Sequence, residues 1–364
     1  MEYALAGYHE TWATPAYLVR ERAQHVFVPD ALRRCVVFLG LRSLKDERFQ
    51  PKATGFLVTA GEGDFLRDHL VTAEHVVVHL QGMIQDLEKK GQGMELAVRL
   101  NMDVGGSETV SLASEQWWFH PDNENNPTDV AAIPFSFNQK MVAQAPIFLN
   151  HGWLQKGTRE ELRKRGAALG QEIAIVGLFR HHMGADVNVP IVRIGNISAM
   201  PLERVWTKYC GYTDAFLVEA RSISGLSGSP AFLNLTDAIP LPPEIPAGMA
   251  RADNLVDLRR YLFFGLMHGH WDLPNLTDDA VVDEYEGRQQ GVNVGIGVVI
   301  PAAKIAETLY QPDLVEMRMA LQKKAREGGA TPDFAPDENA PPATDANPTH
   351  REDFNSLRRG SEKA

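Results

Sequence analysis

Short apolar runs of four to six residues, each closed by Gly, Pro, Asn or Asp, recur along much of the chain and predict strands. They fall at residues 35–40, 55–59, 96–100, 130–133, 172–176, 190–193 and 216–219. Helical periodicity is confined to residues 73–90, with an early interruption, 159–165, 302–310 and 312–326. Many short strands with few helices predict an all-β core of antiparallel barrels or a sandwich, with the helices at its periphery.

The flanks read differently. Residues 1–33 are polar and mixed, interrupted by Pro15 and Pro29, and predict an N-terminal arm. Residues 234–260 carry Pro240, Pro242, Pro243 and Pro246 and predict a long excursion between two strands. From Ala325 onward the only large apolar residues are Phe334, Phe354 and Leu357, so 327–364 is expected to be a disordered tail after a helix at 311–326. No repeat of solenoid period is present.

Composition narrows the class. Of 364 residues, 44% are hydrophobic and 23% charged, close to globular averages, which excludes a fibrous or wholly disordered chain. Lys plus Arg 36 against Asp plus Glu 47 gives a net charge of −11, so neither nucleic acid nor an anionic membrane is the expected partner. The two cysteines, Cys35 and Cys210, form neither a disulfide framework nor a zinc spacing. The first residues lack a basic segment followed by an apolar one, and no run is long enough to span a bilayer, so a cytoplasmic location is expected.

Three residues carry the candidate chemistry. Ser227 lies in Gly225-Leu226-Ser227-Gly228-Ser229-Pro230, where flanking glycines allow a tight turn that aims backbone N–H groups at a carbonyl oxygen. His75 follows the apolar run Leu70-Val71-Thr72 through a small-residue turn, and Asp129 enters just before the apolar run at 130–133. The chain order His, Asp, Ser, with separations of 129 − 75 = 54 and 227 − 129 = 98, is the chymotrypsin-type order. An α/β-hydrolase elbow needs Gly two residues after the serine, and here that residue is Ser229. No metal or other cofactor is expected. His75 and His79 lack a Glu at His-Glu-x-x-His spacing, and no Cys or carboxylate stands at a recognisable spacing from His181, His182, His268 or His270. Trp117-Trp118-Phe119 is read as barrel-edge packing.

With those residues in order, the chain resembles the trypsin/chymotrypsin-like serine peptidases, in particular their disulfide-free, HtrA-like bacterial branch. Further matching elements are Thr54-Gly55-Phe56-Leu57-Val58, Gly170 to Gly177 and Gly295-Ile296-Gly297-Val298-Val299-Ile300-Pro301, so the resemblance covers about residues 34–310. It implies two six-stranded antiparallel β-barrels with an active site in the cleft between them, acting on a peptide or protein substrate. His75, Asp129 and Ser227 would form the catalytic triad, and the N–H groups of Gly225 and Ser227 the oxyanion hole.

The resemblance also places Arg221, Ser224, His268, Gly269 and His270 around the primary specificity pocket. Arg221 there would favour Glu or Asp before the scissile bond. If Arg221 instead points to solvent or pairs with Glu219, a neutral pocket for small apolar residues results. Two departures from the family stand out. Leu226 precedes the serine where zymogen-activated members carry Asp, and the strand after it carries His268 and His270 where a serine is usual. The competing class is a protease-like module that captures a peptide or protein without turnover.

Overall fold

The computed structural model describes residues 28–62, 65–137, 142–148, 162, 167–180, 182–220, 225–235, 261–272 and 293–327. The arm before Val28, the excursion from residue 236 to 260, the tail beyond Glu327, and all but Leu162 of the helix expected at 159–165 lie outside the described residues.

Among the described residues the chain folds into two β-layers. The first is an eight-stranded sheet built from β1 (Val36–Ser43), β2 (Phe49–Glu62), β3 (Phe65–Thr72), β4 (Met94–Asn101), β5 (Ser107–Ser111), β6 (Trp118–Phe119), β7 (Ala131–Pro134) and β8 (Ile147–Phe148). Its order is β5-β4-β1-β2-β3-β7-β6, with β8 running parallel to part of β2. The six apolar or glycine residues that open β1 are all buried, because β1 is an inner strand covered on both faces.

The second layer is a closed six-stranded barrel of β9 (Glu172–Gly177), β10 (Ile191–Ala199), β13 (Phe216–Glu219), β14 (Pro230–Asn234), β15 (Tyr261–Asp272) and β16 (Asn293–Pro301). A separate hairpin, β11 (Val205–Thr207) and β12 (Gly211–Thr213), projects between β10 and β13. Of the two six-stranded barrels expected, one is closed; among the described residues the first sheet is an open path ending at β5 and β6.

The two layers share an apolar seam, and the barrel strands that make it are buried on both faces. In β9, Ile173 and Ile175 fill the barrel while Ala174 and Val176 face the core shared with the first sheet. In β14, Ala231 and Leu233 point in and Phe232 points to the seam; in β15, Leu262 and Phe264 point in and Phe263 to the seam. A period of two with both faces apolar is what turns these strands into continuous hydrophobic runs. Phe56 of β2 meets Phe263 edge-on at 5.5 Å across the seam. Each fully buried Phe contributes about 2–3 kcal/mol over an exposed one.

Among the described residues four helices sit outside the strands: α1 (Asp30–Arg34), α2 (Glu74–Glu88), α3 (Ala302–Leu309) and α4 (Pro312–Glu327). α4 is pinned by Leu314 and by the buried Arg318, which donates to the Leu309 carbonyl at 2.7 Å and lies over the Tyr310 ring. Arg318 also approaches the fully buried His69 of β3, with Nη1 3.4 Å from Nε2. No described helix is long and apolar enough to cross a membrane.

Candidate active site

Ser227 lies in the turn between β13 and β14, at the seam. Gly225 and Gly228 on either side of it have φ of 106° and 83°, left-handed values that side chains resist. A Cβ at Gly228 would also overlap the Thr54 carbonyl and the Thr72 hydroxyl. The turn belongs to the barrel half of the chain but hangs from β2. Thr54 N–H donates to the Ser227 carbonyl at 3.1 Å, and Thr54 Oγ1 donates to the Gly225 carbonyl at 2.7 Å and accepts from Leu178 N–H at 2.9 Å. Thr72 Oγ1 in turn donates to the Thr54 carbonyl at 2.8 Å. Among the described residues, the N–H groups of Gly225 and Ser227 donate to no protein acceptor.

His75 occupies the first turn of α2, just after β3 ends. Helix first turns leave N–H groups without partners, and Ala73 at the N-cap offers no side-chain acceptor. The carboxylate of Asp129, two residues before β7, takes that place: Oδ1 accepts from His75 N–H at 2.8 Å and Oδ2 from the His75 ring Nδ1 at 2.7 Å. The loop carrying Asp129 is itself latched, since Thr128 N–H donates to Asn123 Oδ1 at 2.8 Å and Asn123 Nδ2 to Glu74 Oε2 at 2.6 Å.

A second imidazole shares this carboxylate. His268 Nδ1 makes a short hydrogen bond to the same Asp129 Oδ2 that holds His75. A register shift in the pairing of β15 with β16, between Met267 and Gly269, leaves His268 as a bulged residue, and such a bulge re-aims its side chain. Because an ionised carboxylate only accepts, both rings carry their proton on Nδ1. Burial alone would raise the Asp129 pKa. The positive partial charge and N–H groups of His268 and His75 outweigh it and hold the carboxyl well below the usual range.

Tyr209, at the tip of the β11–β12 hairpin, stacks flat on His75 with ring centres 4.3 Å apart and planes 7° from parallel. It separates two cavities. One, of about 640 Å³, is lined by Glu74, His75, His79, Glu124, Asp129 and Cys210 among others and, among the described residues, by no Lys or Arg. The smaller one, of about 80 Å³, is lined by Ser227, His268, Gly269 and His270, with Lys208 at its rim. Burial, followed by the charge of Asp129, pushes the Cys210 thiol up to about 12, so it is no nucleophile near neutral pH. Glu74 is raised as well, by burial and by Asp129, against its bond from Asn123.

No family model matches the chain, and no curated protein matches it in sequence. Solved structures to which it is similar include the following three. The MamO protease domain from Magnetospirillum magneticum has 13% identity and a TM-score of 0.44, covering 77% of this chain and 98% of that one. The Rv3671c protease from M. tuberculosis, in its active form, has 14% identity and a TM-score of 0.38, over 84% and 93% of the two chains. Deg5 has 15% identity and a TM-score of 0.40, over 83% and 97%. Likenesses this distant carry no correspondence of individual residues.

Of the residues singled out in the sequence, His75 and Asp129 are in direct contact, and Ser227 lies with His268, Gly269 and His270 on the wall of the smaller cavity. Among the described residues no hydrogen bond joins Ser227 Oγ to the His75 ring. Arg221 and Ser224 lie outside the described residues. Sequence reasoning misses the bond of His268 to Asp129, the stack of Tyr209 on His75, and the ties of Thr54 and Thr72. Thr54 and Thr72 carry a signal, through their places in Thr54-Gly55-Phe56 and in Leu70-Val71-Thr72 before His75.

Proposed function

We propose that the chain is a serine-type endopeptidase with Ser227 as nucleophile, His75 as general base and then acid, and Asp129 as the group that fixes the His75 tautomer. The observation that carries this reading is the two-point grip of Asp129 on His75, through its backbone N–H and Nδ1, beside a serine on a doubly left-handed glycine turn. With the proton on Nδ1, the Nε2 lone pair is available as base.

Ser227 Oγ attacks the scissile carbonyl carbon as His75 Nε2 takes the hydroxyl proton, and the carbonyl π electrons move to oxygen. The N–H groups of Gly225 and Ser227 stabilise that oxyanion. On collapse the C–N bond breaks, the Nε2 proton goes to the departing amine, and a serine ester remains. Water then enters by the same route in reverse and releases the acid. Asp129 keeps its charge throughout and stabilises the imidazolium.

A second reading, capture of a peptide without turnover, is favoured by the missing bond between Ser227 and His75 and by the Tyr209 ring stacked on His75. A fluorophosphonate probe separates the two, because it labels a serine only where base and oxyanion donors are assembled. Labelling that disappears in Ser227→Ala supports the peptidase. An unlabelled chain, or equal labelling of Ser227→Ala, overturns it.

A further inference from the structure

We infer that the His75, Asp129 and His268 cluster is a binding site for a divalent transition-metal ion of the zinc class, and that the bound ion holds the triad in a silent state. The second half of this inference rests on the proposed peptidase reading; the first does not. Three donor atoms converge here from three separate elements: His75 Nδ1 from α2, Asp129 Oδ2 from the loop before β7, and His268 Nδ1 from the bulge of β15. All lie within 4.8 Å of one another, and the His75 to Asp129 edge is 2.7 Å.

A tetrahedral zinc ion with bonds of about 2.0–2.2 Å needs donors about 3.3 Å apart. Seating the ion requires the two imidazoles to draw back from the carboxylate, the His75 ring by about 0.6 Å. Such a shift is within the reach of side chains on a helix end and a bulge. Two imidazoles and one carboxylate, with a fourth position open, form a donor set suited to zinc or cobalt, whereas magnesium and calcium prefer all-oxygen shells.

An independent feature points to a cation. The cavity of about 640 Å³ that opens on His75 and Asp129 is lined by three carboxylates, Glu74, Glu124 and Asp129, and among the described residues by no Lys or Arg. Such a wall concentrates cations beside the His75 and Asp129 edge of the cluster, while His268 borders the smaller cavity. Cys210 lines the same cavity but is not among the converging donors.

The chemical consequence follows from proton accounting. A neutral imidazole has one N–H and one lone pair. When Nδ1 gives its lone pair to the metal, the proton moves to Nε2, and the ring stays neutral. Nε2–H is then a donor and no longer a base for Ser227, so the ion selects the inactive tautomer. Nothing is oxidised or reduced.

The test is a titration of chelator-stripped, full-length Ser227→Ala with Zn²⁺ by calorimetry, which reads binding apart from any turnover. One ion per chain is expected, with binding weakened at least tenfold by adding His268→Gln and no comparable binding of Mg²⁺. Because His268→Gln could disturb the fold, the unsubstituted chain is loaded with Co²⁺ in parallel, and proton NMR is expected to show two exchangeable, hyperfine-shifted imidazole N–H signals. Absence of binding, undiminished binding in a folded His268→Gln chain, or a cobalt site without two such signals overturns the metal site. In the wild-type chain, Zn²⁺ is expected to block fluorophosphonate labelling and a chelator to restore it. Labelling unaffected by saturating zinc overturns the silencing. A chain that never labels counts against the peptidase reading, while the metal site still stands or falls on the calorimetry and the cobalt spectrum.

Discussion

Between pH 6.5 and pH 5 the fold should lose stability through His69. Its ring is fully buried in β3 against Arg318 of α4. Burial, then the Arg318 guanidinium, lower its pKa from 6.5 to about 3, with a smaller contribution from Arg67, against backbone hydrogen bonds that favour the charged form. The native state thus keeps His69 neutral where the unfolded chain protonates it. Above pH 6.5 the two states bind equal numbers of protons and the residue has no effect. Below that, the unfolded state takes up a proton that the native state refuses, and stability falls until the pH passes the folded value. From pH 6.5 to pH 5 is 1.5 units, which at 1.36 kcal/mol per unit costs about 2 kcal/mol. His69→Gln removes the titration while keeping a polar side chain beside Arg318. Urea unfolding of both proteins at pH 7 and pH 5 should show a stability difference that shifts by about 2 kcal/mol in favour of the variant as pH falls. Two parallel pH profiles would refute the argument, since they would mean that His69 is protonated in the native state or that β3 and α4 open around it before the rest unfolds.

Two further substitutions address the site. Asp129→Asn should keep the fold but allow the amide to hold the wrong His75 tautomer, lowering kcat by about four orders of magnitude; a loss below tenfold in a peptide-cleavage assay would be incompatible with the assigned role. Thr54→Val should leave the Leu178 N–H and the Gly225 carbonyl buried without their partner and cost roughly 2 kcal/mol or more. The expected drop in melting temperature is several degrees, with labelling of Ser227 slowed because its turn loses a support; an unchanged melting temperature would show that these bonds carry little.

The β-rich architecture is legible in the sequence because strands buried on both faces spell continuous apolar runs, as at 172–176, where β9 runs Glu172–Gly177. Strand ends are less so: β1 extends to Ser43 and β2 from Phe49, beyond the apolar runs, because hairpin pairing of Leu41 with Gln50 and Arg42 with Phe49 carries the ladder through polar residues. The helix after His75 is visible from its periodicity. Closure of a sheet into a barrel is not, since it depends on pairing between end strands that composition does not encode. At the site, the residue types of His75 and Asp129 and their order can be read, but the position of His268 cannot. A bulge breaks the strict alternation of β15, so a side chain that counting assigns to one face turns toward Asp129. Tyr209 reaches His75 from a hairpin tip, where no periodicity operates.

The suspension of the Ser227 turn from Thr54 makes the contact between sheet and barrel a ruler for the active site. The serine's carbonyl is referenced to β2, and the histidine follows directly from β3, the hairpin partner of β2. The proposed nucleophile and base are therefore gauged from adjacent strands of one sheet even though the serine's own segment belongs to the other half. A small molecule that wedged the Phe56–Phe263 contact apart would stretch that reference without entering either cavity. It would act as a noncompetitive inhibitor, lowering kcat with KM nearly unchanged, and its binding site would be the oily seam rather than the polar cleft that screening usually targets.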